Sequence, residues 1–344
     1  RTINQSSEDA IITSWWDFGH WFVAGSQRRV TFDGGDQGRR IHWVGKTLLT
    51  ENESEAVDVL RMLNCGQNDA AELLEKYYDD DYKAIKTVNR IISMDKEEAI
   101  TALEESGLTV SQIKEVIGKT HCEDIIDQYY IASEDMIGKS GVWGHFGVWD
   151  FDRAYMFNKV RAMPKEEGVE TLVEEFGLEE SEAVKTYSEI RTKDGDRWIS
   201  PWPSYSSQIS ECMPDGDMIA CRTGLMYNVS SEEFYVSTQQ GLARPKKVAY
   251  MREGQFRVAE YEGGVDIGMA LFTDRRGRMM SVAMDPLQTA SMFTRMYFFE
   301  GAGLSNFELV SHEAGIDGTD IYLYKVDLED NDEGNETTTI IETG

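Results

Sequence analysis

The spacing of apolar residues predicts helices in the first part of the chain. Between residues 50 and 117, apolar positions recur about every 3.6 residues, as on one face of an amphipathic helix. The clearest runs are Ala56, Val57, Val59, Leu60 and Leu63, and then Ile85, Val88, Ile91 and Ile92. Thr109 and Gln112 have the spacing of a capping box, which favours a helix beginning after Thr109. Amphipathic segments near residues 151–163, 166–176 and 179–192 predict three more helices.

After about residue 195 the pattern changes to short apolar segments separated by turn residues, which predicts strands. The turn sequence that begins at Asp274 separates residues 268–273 from 279–284 and indicates a hairpin. Further strands are predicted at 128–132 and 319–327, and a helix at 287–299.

These elements predict an α+β fold with a mainly α-helical central core and an inserted β-rich segment. The expected division is a helical core over 1–195, a β-rich insert over 196–285, a return to the core over 286–327, and an acidic tail or linker over 328–344.

The charge of the chain excludes one class of partner. There are 34 basic and 62 acidic residues, which give a formal net charge of −28. A surface this negative repels a phosphate backbone, so we expect no nucleic acid as partner. No apolar run reaches the roughly 18–20 residues that span a bilayer. Because the sequence begins at Arg1 without a signal peptide, we expect it to be a fragment of a longer protein.

The cysteines and histidines do not form a recognisable metal motif. The four cysteines contain no C-x-x-C pair, and the five histidines are scattered. Cys212 and Cys221 flank a loop-like segment and could close a small disulfide, a question that the sequence leaves open. Acidic residues are so abundant that no pair stands out as the carboxylates of a hydrolase.

The first candidate site is the tripeptide formed by Trp15, Trp16 and Asp17. Two indoles beside a carboxylate can form a small pocket whose apolar walls keep water away from the carboxylate oxygens. A hydrogen bond to a hydroxyl or an indole N–H is stronger there than at an open surface. The alternative is an aromatic core segment in which Asp17 accepts a backbone hydrogen bond.

Residues 15–19, with the sequence WWDFG, differ only at Phe18 from the WWDYG signature of oligosaccharyltransferase catalytic subunits. The segments 32–43, 132–149 and 291–300 also resemble regions of the archaeal members, and they occur in the same order. The chain is therefore similar to the C-terminal soluble domain of an archaeal oligosaccharyltransferase catalytic subunit.

The resemblance implies a role for each residue of the signature. Trp15, Trp16 and Asp17 would receive the Ser or Thr hydroxyl at position +2 of the acceptor sequon, Asn-x-Ser/Thr. A buried polar pocket of this kind rejects an acceptor that lacks the hydroxyl, because the groups of the pocket would then lose their partner. Phe18 and Gly19 are expected to shape the pocket, and Phe18 lacks the hydroxyl of the tyrosine that the signature has at this position.

The resemblance also implies a second motif on a helix that supports the +2 side chain. Met136, Lys139 and Trp143 give the pattern M-x-x-K-x-x-x-W, a hybrid of the two forms known in the family. Spacings of three and four predict that these residues share one helix face. Met136 would touch the Thr methyl group, and Lys139 would bind the hydroxyl or neutralise Asp17. The alternative has Lys139 in solvent and Met136 in the core.

Two further groups of residues are candidate sites. The first is a basic group that could contact the phosphate of a lipid-linked donor, and that could equally be solvated or paired with Asp33 and Asp36. It consists of Arg28, Arg29, Arg39 and Arg40. The second is a set of four sequons, which are candidate N-glycosylation sites if the domain faces the outside. Their asparagines are Asn4, Asn52, Asn228 and Asn335.

The resemblance implies a membrane enzyme that transfers a lipid-linked oligosaccharide to asparagine in protein N-glycosylation. The partners would be an acceptor polypeptide with Asn-x-Ser/Thr, a dolichol phosphate or pyrophosphate oligosaccharide, and the enzyme's own N-terminal transmembrane domain. The enzyme would act at the extracellular face of the cell membrane.

In the family a Mn²⁺ or Mg²⁺ ion assists the reaction. We expect neither the metal ligands nor a catalytic residue in this chain, and no transfer by the chain alone. The alternative function is a non-catalytic extracellular peptide- or carbohydrate-binding module that uses Trp198 and Trp202.

Overall fold

The computed structural model describes residues 3, 6–35, 38–314, 319–329 and 341–343. It contains helices and two mixed sheets, so the α+β class predicted from the sequence is confirmed. The predicted domain boundaries stay a prediction. Among the described residues, no helix combines the length and the apolar character needed to cross a bilayer.

Most helices lie in the first 200 residues, as the periodicity predicts. They are α1 Gly19–Ser26, α2 Arg40–Leu49, α3 Glu53–Gly66, α4 Asp69–Tyr78, α5 Asp81–Ile91, α6 Lys96–Glu105, α7 Val110–Thr120, α8 Asp135–Gly138, α9 Ser140–Gly147, α10 Phe151–Val160, α11 Lys165–Glu174, α12 Glu180–Thr192, α13 Gly195–Ile199 and α14 Met292–Phe298.

Local capping interactions explain where several helices begin. The side chain of Asn52 accepts hydrogen bonds from the first turn of α3, and Asp80 does the same for α5. The capping box of Thr109 and Gln112 is present at the start of α7, as predicted. In contrast, the helix predicted over 287–299 is a 3₁₀ turn at Pro286–Gln288 followed by the shorter α14.

The strands form two sheets. They are β1 Ile11–Thr13, β2 Arg29–Val30, β3 Gln128–Ser133, β4 Tyr205–Asp215, β5 Met218–Cys221, β6 Leu225–Asn228, β7 Glu233–Thr238, β8 Gly241–Ala243, β9 Pro245–Arg252, β10 Gln255–Glu260, β11 Val265–Thr273, β12 Met279–Met284, β13 Phe307–Ala314, β14 Asp320–Val326 and β15 Ile341–Thr343.

The first sheet has the order β13-β14-β3-β1-β2, in which β1 runs parallel to both β2 and β3. The second has the order β15-β10-β9-β11-β12-β4-β5-β6-β7-β8. The predicted hairpin is confirmed, because β11 and β12 pair antiparallel from Gly268 opposite Met284 to Thr273 opposite Met279. The strands predicted at 128–132 and 319–327 are β3 and β14.

The main apolar core joins the helices to both sheets. Its fully buried members include Trp43 of α2, Trp143 of α9 and Phe293 of α14. α2 and α9 cross at two glycines: a Cβ on Gly45 would lie 2.5 Å from the carbonyl oxygen of Trp143, and one on Gly147 would lie 2.5 Å from that of Gly45. No larger residue fits this crossing unless the helices separate.

All four cysteines form disulfides. Cys212 and Cys221 lie opposite each other on β4 and β5 and are joined, so the structure decides the question that the sequence left open. Cys65, at the end of α3, is joined to Cys122, just after α7. This second pair could not be predicted from the pattern along the chain, because its members are 57 residues apart.

Candidate functional site

Two parallel strands bring the WWDFG signature and the second motif together. The signature follows β1, with Trp16–Phe18 forming a 3₁₀ turn before α1, and the second motif follows β3. Because β1 and β3 are parallel neighbours, the segments after them leave the sheet at the same edge. The sheet topology therefore places Asp17 beside Lys139.

The two tryptophans of the signature differ in environment. Trp15 is buried and packs edge-on against Phe32, with ring centroids 5.8 Å apart. Trp16 is partly buried, and a Cβ on Gly34 would lie 3.3 Å from its ring, so the loop that contains Gly34 passes close to the indole. Trp15 is thus a core residue, as the alternative interpretation had it, while Trp16 borders the surface.

Asp17 has one paired and one unpaired carboxylate oxygen. Its Oδ1 lies 3.2 Å from Nζ of Lys139. Its Oδ2 is buried and has no hydrogen-bond partner among the described residues. A buried carboxylate oxygen without a donor costs free energy, so this atom is a ready acceptor for an incoming hydroxyl.

Lys139 lies between two carboxylates. Besides the contact with Asp17, its Nζ donates to Oδ2 of Asp135 at 2.7 Å. Burial lowers the pKa of Lys139, but the hydrogen bonds and charges of Asp135 and then Asp17 outweigh this effect, and the pKa is raised above its ordinary value. Lys139 is therefore a cation, and of the two roles considered for it the structure shows the neutralisation of Asp17.

Phe18 and Gly19 lie at the rim of the site. The Phe18 ring is partly exposed, and Nζ of Lys139 is 5.1 Å from its centroid, within the range of a cation–π contact. A Cβ on Gly19 would lie 2.7 Å from Cβ of Asp33 and 2.8 Å from the carbonyl oxygen of Phe32. Only glycine fits at position 19, so the fifth residue of the signature is explained by close packing.

The second motif does not lie on one helix face, and that prediction is wrong. Lys139 has non-helical backbone angles (φ −102°, ψ 0°) and separates α8 from α9. Met136 is buried in α8, and Trp143 is fully buried in α9, where its indole N–H donates to the carbonyl oxygen of Met136 at 2.8 Å. The core contacts of Trp143 with Tyr205 and Phe293 outweigh the continuity of the helix.

Asp135 and Ser133 are two members of the site that were not among the predicted site residues. Oγ of Ser133 donates to Oδ1 of Asp135 at 2.5 Å, which orients the second carboxylate on Lys139. The available signal was the i, i+4 spacing of Asp135 and Lys139, which favours an ion pair on a helix.

The four arginines have separate partners. Arg28 is buried and donates to the carbonyl oxygen of Ser6, Arg29 to that of Asp9, and Arg40 to that of Thr31. Arg39 forms an ion pair with Glu75. Asp36 lies outside the described residues, so the pairing with Asp33 and Asp36 and the phosphate contact both stay predictions.

The candidate glycosylation sites, and the two tryptophans of the alternative function, lie outside the signature and the second motif. Asn52 caps α3, and Oδ1 of Asn228 accepts from the backbone N–H of Ser230. Asn4 and Asn335 lie outside the described residues. Trp198 is buried, and Trp202 is partly exposed and stacked on His145 at 4.0 Å.

The described residues do not fit the metal ion that the resemblance implies. Among them, no group of three or more His, Cys, Asp or Glu side chains is placed to hold a metal ion. We therefore derive no step through a metal.

Comparison with known proteins agrees with the sequence motifs. No protein-family model matches the chain. It is 34% identical over 149 residues to the dolichyl-phosphooligosaccharide-protein glycotransferase of Methanocaldococcus jannaschii, a match that covers 42% of this chain and 16% of that protein. It is 32% identical over 154 residues to the protein of the same name from Methanococcus voltae, covering 43% of this chain and 17% of that protein. The matches thus span about a sixth of the length of these curated relatives.

The crystal structure of the C-terminal domain of C. jejuni PglB has 13% sequence identity to the chain and a TM-score of 0.43, and covers 94% of this chain and 97% of that chain. A score this low does not establish a shared fold. The two archaeal relatives confirm the resemblance to archaeal oligosaccharyltransferases.

Proposed function

We propose that this chain, a relative of the archaeal dolichyl-phosphooligosaccharide-protein glycotransferases, is the domain of such an enzyme that recognises the acceptor sequon Asn-x-Ser/Thr. The observation that carries the proposal is the buried Oδ2 of Asp17, which has no donor among the described residues. The alternative of a non-catalytic binding module is not favoured, because both relatives are named as glycotransferases.

In the proposed complex the +2 hydroxyl of the acceptor donates a hydrogen bond to Oδ2 of Asp17. Lys139 holds Oδ1 from the other side, so the carboxylate keeps its charge and its orientation. Trp16 supplies an apolar wall that excludes water from this hydrogen bond. An acceptor with Ala at +2 leaves Oδ2 buried and unpaired, and the site rejects it for that reason.

The chemical step forms a bond between the asparagine amide nitrogen and the anomeric carbon of the lipid-linked sugar. The bond from that carbon to the lipid phosphate breaks, the phosphate leaves with the bonding electrons, and the amide nitrogen loses a proton. This chain positions the acceptor peptide, and the positioning of reactants accounts for a large share of many enzymatic rate accelerations. We propose that the metal ligands and the group that activates the amide belong to segments outside this chain, and that the chain alone does not transfer glycan.

We also propose that the domain works on the outside of the cell, where the phosphate-linked oligosaccharide and the acceptor meet. Two disulfides among the described residues support an oxidising compartment.

The test is glycan transfer by the full-length enzyme that contains this domain, with peptides carrying Thr, Ser or Ala at +2. We expect Asp17→Ala to lower kcat/KM for the Thr peptide on the order of 10- to 100-fold, the value of a hydrogen bond to a charged group. The same variant should lose most of its preference for Thr over Ala. Asp266→Ala, which removes an exposed acid on the second sheet, is the matched control. Unchanged discrimination in Asp17→Ala would refute sequon recognition by this carboxylate.

A further inference from the structure

Two of the four sequons lie in the described part of the chain, and they share a local turn. One spans residues 52–54 at the start of α3, and the other spans residues 228–230 at the end of β6. In both, Oδ1 of the asparagine accepts hydrogen bonds from the backbone N–H groups at positions +2 and +3. The motif and this turn are therefore the same, and the two sequons differ in how firmly the fold holds them.

The sequon at Asn228 lies in the turn of a hairpin and is open to solvent. β6 ends at Asn228 and β7 begins at Glu233, so a loop of residues 229–232 joins the two strands. Val229, the middle residue of the sequon, is 51% exposed, and Ser230 is exposed as well. The backbone N–H of Val229 donates to the carbonyl oxygen of Asp217 at 2.9 Å. Opening this turn breaks hydrogen bonds at the surface, where water replaces them, and uncovers no apolar core.

The sequon at Asn52 is fixed by the residue at its centre. Glu53 is only 7% exposed, and its carboxylate accepts from the backbone N–H groups of Ser305 at 2.8 Å and Asn306 at 2.7 Å. Ser54, at position +2, already belongs to α3. Lifting this sequon into a binding pocket removes the cap of α3 and leaves a carboxylate and two N–H groups without their partners. The folded domain therefore cannot present Asn52 as an acceptor.

We propose that Asn228 of this chain is itself a glycan acceptor and that Asn52 is not. The inference rests on the proposed function, because it makes the hairpin turn a substrate of the same reaction. Nδ2 of Asn228 forms the bond to the anomeric carbon of the lipid-linked sugar and loses a proton. The bond from that carbon to the lipid phosphate breaks, and the phosphate leaves with the bonding electrons. Ser230 supplies the hydroxyl at position +2 that the sequon requires.

Mass spectrometry of the full-length enzyme, isolated from the cells that produce it, tests the proposal. The measured quantity is the fraction of each sequon peptide that carries a glycan. We expect this fraction to be at least about tenfold higher at Asn228 than at Asn52, because Asn52 is released only when the contacts of Glu53 break. The added mass at Asn228 should equal that of the glycan which the same enzyme transfers to an Asn-x-Thr peptide.

Matched variants of the two sequons show whether the motif is responsible. Ser230→Ala retains the asparagine but removes the +2 hydroxyl, and it should abolish the modification of Asn228. Ser230→Thr should retain the modification. Ser54→Ala, the same change in the other sequon, should leave the total glycan mass of the protein unchanged. Transfer to the Asn-x-Thr peptide checks that each variant enzyme is folded.

The outcomes separate this inference from the proposed function. An empty Asn228 in an enzyme that modifies the Asn-x-Thr peptide would overturn the inference and leave the function intact. Equal occupancy at Asn52 and Asn228, or a glycan that persists in Ser230→Ala, would also overturn it. An occupied Asn228, together with unchanged discrimination by Asp17→Ala, would support the acceptor site and refute sequon recognition by Asp17. An empty Asn228 in an enzyme that transfers no glycan to any peptide would reject both.

Discussion

At the scale of single residues, the site depends on one lysine shared by two carboxylates. Asp17 and Asp135 both contact Nζ of Lys139, so removing the amine leaves two partly buried negative charges close together. A charge-free replacement should therefore disturb the carboxylate that is proposed to hold the acceptor.

We expect Lys139→Met to lower kcat/KM for the Asn-x-Thr peptide about tenfold, because Asp17 loses its orientation. Lys139→Arg retains a cation and should restore much of the activity. The measurement is the transfer assay with the full-length enzyme, and Lys193→Met, which removes an exposed lysine from the end of α12, is the control. Wild-type kinetics for Lys139→Met would show that the ion pair does not support the site.

His42 is a second residue whose effect can be measured, through the pH dependence of protein stability. Nδ1 lies 2.8 Å from the carbonyl oxygen of Phe146, while Nε2 is buried with no partner among the described residues. Burial lowers the pKa of His42 from 6.5 to about 4, although the hydrogen bond to Phe146 opposes this effect. The folded protein therefore keeps His42 neutral where the unfolded chain already binds a proton.

The sign of the pH effect follows from the proton uptake of the unfolded chain. The contribution of the neutral His42 to the free energy of unfolding is fully present above a pH of about 6.5 and is lost as the pH falls towards about 4. The loss amounts to about 3 kcal/mol across this window. We expect His42→Asn to show a correspondingly smaller loss in urea unfolding over the same pH range. Parallel pH profiles for the two proteins would contradict the buried, neutral histidine.

At the scale of elements, the close crossing of α2 and α9 predicts that a larger residue at Gly45 destabilises the protein. A Cβ on Gly45 would lie 2.5 Å from backbone oxygen and 2.8 Å from backbone nitrogen of α9, neither of which can move alone. We expect Gly45→Ala to lower the free energy of unfolding by about 1–3 kcal/mol, because the helices must separate.

Gly118 in α7 is the matched control for Gly45. It also lies within a helix, but a Cβ there would meet no atom within 4 Å. Gly118→Ala should raise the free energy of unfolding by up to about 1 kcal/mol through helix propensity. Urea unfolding measures the free energy of unfolding of both variants. A change of the same sign in both free energies would contradict the packing argument.

At the scale of the whole molecule, the two disulfides close loops of different length. Cys65 and Cys122 are 57 positions apart in the sequence, and Cys212 and Cys221 only 9. The entropy of the unfolded chain predicts losses of about 4 and about 3 kcal/mol when the respective pair is replaced by serine. Urea unfolding of the two double variants measures the losses. A larger loss for the Cys212–Cys221 pair would show that loop length does not dominate.

The sequence by itself determined most of the local structure. The helical period predicted α3 and α5, the capping box fixed the start of α7, and the turn at Asp274 predicted the β11–β12 hairpin. Each of these features depends on residues only a few positions apart, so the interactions responsible are visible in a short stretch of sequence. The WWDFG signature could likewise be recognised from five neighbouring residues.

Only the tertiary structure decided which distant residues meet. The parallel pairing of β1 with β3 brings Asp17 to Lys139, and the packing of α3 with α7 brings Cys65 to Cys122. The core also ended α8 at Gly138 and buried Trp143, against the expectation of one continuous helix face. These outcomes depend on burial and on chain topology. Both are set by contacts between residues that are far apart in the sequence, and not by the local preferences of neighbouring residues.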